Sequence, residues 1–181
     1  MTTDLSRRAF AGLALGGLAG CAASDPLTEA PRDMGDFRLG LTIVVADKVK
    51  KIPPSRDATK EALIAAMTAE IDRRFRRYDG AREYHIAVAI DGYALAPPGI
   101  PIVLTPKSIM VVTANLWTAD PQEKIRGPEQ LTTFEGADTL LLGSGLVKSA
   151  DEQLATLARN MSGKIQSWLL REPETFGLPP R

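Results

Sequence analysis

The chain has 181 residues, 44% hydrophobic and 24% charged, with 22 basic against 22 acidic side chains. That makeup fits a single globular domain and excludes a disordered or polytopic protein, and the balanced charge excludes recruitment to nucleic acid by bulk electrostatics. One cysteine, Cys21, and one histidine, His85, exclude an internal disulfide, a cysteine-based zinc site and a multi-histidine metal centre, so no metal or cofactor is expected.

Residues 6–21 read SRRAFAGLALGGLAGC. Arg7 and Arg8 give a positive start, and Ala9 to Ala19 give an apolar run of signal-peptide length interrupted by Gly12, Gly16 and Gly17. The run is too short for a membrane span, which takes about 20 apolar residues. Ser6, Arg7, Arg8 and Phe10 match the S-R-R-x-F core of a twin-arginine export signal, a receptor-read address and not an anchor. Ala11-Gly12 stand where Leu-Lys often follows that core, which leaves the general export route open. Leu18-Ala19-Gly20-Cys21 resembles the lipobox of bacterial lipoproteins. The resemblance implies cleavage of residues 1–20, a diacylglycerol on the Cys21 thiol and a palmitate-type chain on the new amino terminus. Small residues at Ala19 and Gly20 suit a tight protease site, and several acyl chains hold a protein firmly where one binds marginally. Ala22 follows the cysteine in place of an Asp. By resemblance to enterobacterial lipoproteins this implies the outer membrane over the inner one, with the domain on the periplasmic side.

From Ala22 to about Asp36 the chain is rich in Ser, Asp, Pro and Gly and reads as a flexible tether over 21–36. Leu39 to Ala46, LGLTIVVA, reads as a buried first strand. Pro53-Pro54 breaks the chain and Asp57 is a plausible N-cap. Leu63, Met67, Ile71 and Phe75 then recur every four residues, one face of an amphipathic helix that Asp79-Gly80 stops. Tyr84, Ile86, Val88 and Ile90 alternate with His85, Ala87, Ala89 and Asp91, a second strand with a large face and a small face, the small one placed for a helix to lie on it. APPGIPIVLTP over 96–106 carries too many prolines for a central strand and reads as a loop. Ile109 to Trp117 is the next strand, Asp120-Pro121 a turn, and Lys124 to Phe134 a strand broken at Gly127-Pro128. Thr139 to Leu142 can add one more short strand. Ser149-x-x-Glu152 is a capping box that starts a helix with a Leu154, Leu157, Met161, Ile165, Trp168 stripe ending before Pro173. The order β-α-β-β-β-α predicts an α+β domain over 37–172: a largely antiparallel four- or five-stranded sheet, both helices packed on one face, and a tail at 173–181.

No side-chain constellation announces catalysis. Gly143-Ser144-Gly145 lacks the third glycine of a dinucleotide fingerprint, since Lys148 stands there, and it is not a nucleophile elbow. It reads as a turn into the last helix, and His85 as a hydrogen-bonded structural histidine. Arg73, Arg74, Arg76 and Arg77 flank Phe75 at a helix end. They are either a contact for anionic groups, through bidentate guanidinium forks, or a solvated face stabilised by the helix dipole. Ile100, Ile102, Val103 and Leu104 of the proline loop either tuck under the sheet or expose an apolar patch for a partner or lipid. Trp117 and Trp168 are expected in core or edge packing.

The layout resembles small periplasmic lipoproteins of Gram-negative envelopes, among them the auxiliary lipoproteins of lipid-transporting ABC systems. The specific part of that likeness is residues 6–21. It implies a non-enzymatic, lipid-anchored accessory or scaffold module of an envelope transport or assembly complex, with membrane and protein partners and no nucleic acid. Two alternatives stay open: a carrier of a lipid or other apolar ligand, and a small hydrolase centred on Ser144 or His85.

Overall fold

Eight elements follow one another in the computed structural model, which describes residues 27–28, 30–97, 108–135 and 148–179. They are β1 (Phe37–Val45), β2 (Lys50–Lys51), α1 (Lys60–Phe75), β3 (Arg82–Ala94), β4 (Ile109–Thr118), β5 (Lys124–Phe134), α2 (Ala150–Leu169) and a 3-10 turn (Pro173–Phe176). The chain divides into two units, Met1–Pro31 and Arg32–Arg181, and every element belongs to the second. Among the described residues no helix is long and apolar enough to cross a membrane.

The fold is α+β, as the order of elements predicts. The sheet runs β1-β3-β4-β5, with β2 also pairing with β3. β3, β4 and β5 are antiparallel neighbours, as their short connections require, whereas β1 and β2 lie parallel to β3. The sheet is therefore mixed, with its antiparallel part, β3-β4-β5, the larger. The reason is the helix between β1 and β3, a crossover that brings the chain back to the same end of the sheet.

Alternation sets which side of the sheet is covered. Tyr84, Ile86, Val88 and Ile90 of β3 and Met110, Val112, Ala114 and Leu116 of β4 are all buried. They meet Leu63, Met67, Ile71 and Phe75 of α1 and Leu157, Met161, Ile165 and Trp168 of α2 in one core. The large face of β3 thus lies under the helices and the small face is the outer one, the reverse of the expected arrangement. Helix packing needs apolar volume more than it needs a flat strand surface.

The ends of the elements differ from expectation in three places. The N-cap of α1 is Thr59, whose hydroxyl accepts from the Ala62 N–H, and not Asp57, which is drawn into an ion pair with Lys51. The capping box at Ser149 and Glu152 forms as the sequence predicts. The segment read as a tail instead folds back: Phe176 is fully buried and packs edge-on against Phe37 and Tyr84, with ring centroids 5.6 and 5.3 Å apart. Phe37 in turn stacks on Tyr84 at 5.4 Å. Met34 on the amino-terminal side joins the same core. The folded domain therefore extends beyond 37–172 at both ends, because aromatic rings supply the largest burial per residue.

A candidate interaction surface on the open side of the sheet

β1 is where the sequence and the structure part most. The run LGLTIVV looks like a strand buried on both faces, yet β1 lies at the edge of the sheet. Its register explains the exposure. Leu39 pairs with Tyr84 but Thr42 pairs with Ile86, so β1 spends one residue more than β3 over this step. Such a bulge inverts the alternation that follows it. Phe37 and Leu39 are buried, while Leu41, Ile43 and Val45 are 55%, 45% and 43% exposed. Three aliphatic side chains thus stand in a row on the outer face.

Gly40 makes the bulge possible. A Cβ there would lie 2.6 Å from Glu83 Oε1 and 2.7 Å from His85 Nδ1. In the space it leaves, the Leu41 N–H donates to His85 Nδ1 at 3.1 Å, which assigns the ring proton to Nε2. His85 is buried and stands opposite Trp117 in the neighbouring strand. Its geometry is that of a structural histidine that fastens β1 to β3 across the bulge.

The outer face continues as a shallow, small-residue surface. Ala87 and Ala89 of β3 lie beside Asn115 and Thr113 of β4, and the Thr113 hydroxyl donates to the Asp91 carboxylate at 2.7 Å. Toward the far edge, Phe134 is 49% exposed and pairs with Ile109. Beyond it, β5 and α2 border a groove of about 540 Å³ with Lys164, Ser167 and Arg171 among its lining residues. Among the described residues no group of three His, Cys, Asp or Glu side chains is arranged to hold a metal ion.

The arginines that flank Phe75 are dispersed. Arg73 donates to Glu70 through Nε and Nη2 at 3.1 and 3.0 Å, and Arg76 pairs with Asp72 at 3.1 Å. Arg74 turns inward between the two helices. It is buried, donating to Ser162 Oγ at 2.9 Å and Gln166 Oε1 at 3.2 Å, and burial lowers its pKa from the usual arginine value. The guanidinium lies against Gly163, where a Cβ would be in ordinary contact with it at 3.4 Å from Nη2. Arg77 is half-buried near the end of α1. Arg74 therefore cannot share an outward anion contact with its neighbours.

At the other end of the sheet, Ser108 Oγ accepts from the Ala96 N–H, and Gln153 Nε2 donates to the Ala96 carbonyl, both at 3.1 Å. Lys148 pairs with the buried Glu135 at 3.5 Å. Ile100, Ile102, Val103 and Leu104, the Thr139–Leu142 strand and Gly143-Ser144-Gly145 lie outside the described residues, as do Ser6, Arg7, Arg8, Phe10, Leu18, Ala19, Gly20 and Cys21. Trp168 is buried with the Arg126 guanidinium 5.0 Å from its ring centre, and Trp117 is half-buried on the outer face.

No protein-family model and no curated protein sequence matches the chain. Several solved structures are similar in outline. A PelC dodecamer from Paraburkholderia phytofirmans is 11% identical, with a TM-score of 0.35 over 74% of this chain and 91% of that one. A Xanthomonas campestris protein of the DUF330 family model is 11% identical, with a TM-score of 0.41 over 77% of this chain and 94% of that one. A candidate lipoprotein from Caulobacter crescentus is 10% identical, with a TM-score of 0.39 over 74% of this chain and 94% of that one.

Proposed function

We propose that the protein is a lipid-anchored accessory module on the periplasmic side of the bacterial envelope, held through Cys21, that works by protein contact and not by catalysis. The observation that carries this reading is the exposed row Leu41, Ile43 and Val45 on a sheet whose other face is closed by two helices. Contiguous aliphatic side chains exposed in a row on one sheet face mark a contact surface. Residues 6–21 support the anchored half of the reading, because a signal run ending in Leu18-Ala19-Gly20-Cys21 delivers a domain to the envelope and leaves its cysteine as the attachment point. The carrier reading is less favoured: the space between sheet and helices is occupied by side chains such as Met67, Ile86, Met110 and Met161, all fully buried. His85, a candidate for hydrolysis, has Nδ1 committed to a backbone N–H.

Fractionation of cells expressing the full chain tests the anchor. The wild-type protein is expected in the membrane pellet and the Cys21→Ser variant in the soluble periplasmic fraction. A Cys21→Ser protein that stays wholly with the membranes would defeat the lipoprotein reading.

A further inference from the structure

We propose that the free edge of β1 pairs with the β1 edge of a second copy of this chain, joining two sheets into one. The two edges of this sheet are built in opposite ways. β5 carries Lys124, Arg126 and Glu129, a left-handed Gly127 at φ +93° and Pro128, which has no N–H to give to a ladder. These are devices that stop strand addition. After the bulge at its start, β1 lacks such charges and proline: from Leu39 to Val45 it holds no charge and no proline. Asp79 bridges Arg38 at the start of the strand, and among the described residues no strand lies beyond β1 after that point.

The composition of this edge fits itself. In an antiparallel pair centred on Ile43, Ile43 meets Ile43 and Leu41 meets Val45 of the second copy. Every outward aliphatic side chain of one strand then faces an aliphatic partner, the cross-strand contact that stabilises sheets. An axis perpendicular to the sheet also keeps both outer faces on one side. Arg32, where the folded unit begins, then sits at the same level in both copies, so two anchors can reach one bilayer. Three half-exposed aliphatic residues and one strand edge per copy bury less than the roughly 1,200 to 2,000 Å² of stable interfaces, so the pair dissociates on dilution.

Self-pairing rests on the reading of this sheet face as a contact surface, and it needs no lipid anchor. Site-directed thiol oxidation in membranes from cells expressing the full chain tests it. Lipidated Cys21 is a thioether, so the wild-type protein gives no disulfide, whereas Ile43→Cys is expected to give a species of twice the chain mass. Leu41→Cys and Val45→Cys are expected to crosslink poorly alone and well when co-expressed. Ile43→Lys is expected to abolish association of the Cys21→Ser chain in concentration-dependent sedimentation without changing its circular dichroism. A wild-type disulfide dimer would defeat the anchor reading alone, and pairing would then be read in the Cys21→Ser background. Equal crosslinking at all three single positions, crosslinking to a different protein or to the chain's own residues, or a monomer at every concentration would overturn self-pairing.

Discussion

Gly40 decides where β1 changes phase. The position has no room for a Cβ, because Glu83 Oε1 and His85 Nδ1 stand closer than 3 Å to where it would lie. Gly40→Ala must push the imidazole away and break its bond from the Leu41 N–H. The expected cost is about 1 to 3 kcal/mol, the usual range for overpacking a filled site, read from urea unfolding. In a His85→Ala background the same substitution should cost less, because one of the crowding groups is gone and the two effects are coupled. An unchanged cost in that background would mean that Glu83 alone sets the crowding.

Helix α2 and strand β3 were the most legible elements because each carries a full period of large apolar residues with its terminus signalled locally. For α2 the local signal is strong enough to be titrated. Glu152 accepts from the Ser149 N–H, and that bond, followed by the bond with the Ser149 side chain, lowers its pKa below the ordinary 4.5. A carboxylate with a depressed folded-state pKa stabilises the fold above its unfolded value and stops doing so as pH falls through the folded value. Wild type is therefore expected to unfold at higher denaturant than Glu152→Gln at pH 7, with the gap closing as pH drops below 4.5. A gap that stayed constant down to pH 2 would show that the carboxylate charge is not what the cap uses. β1 was less legible for a physical reason. An uninterrupted β-branched run gives no phase, so nothing local says that a bulge turns Leu41, Ile43 and Val45 outward. The placement of Phe176 was hidden in a different way: its burial comes from Phe37 and Tyr84, far away in the chain. The exposed row that forms the candidate surface could be seen as apolar residues in the sequence, but not as a surface.

At the scale of the whole molecule, the proposed anchor would bear on the proposed pairing of β1 edges. The chain from Cys21 to Arg32 spans at most about 40 Å when extended, so lipidation of Cys21, if it occurs as proposed, would confine the domain to a thin layer beside the bilayer. Confinement raises the concentration at which copies meet without adding any contact between them, as linking two binding modules does. An edge too small for a stable dimer in dilute solution can then pair on the membrane. The Ile43→Cys chain is therefore expected to crosslink several-fold less at equal expression when Cys21→Ser is added, and to recover when the released protein is concentrated. Recovery separates this effect from a folding defect, because a misfolded edge would not regain its crosslink on concentration. Equal yields with and without Cys21 would instead mean that the pair is tight enough to form unaided, and that the row at Leu41, Ile43 and Val45 is part of a larger buried interface.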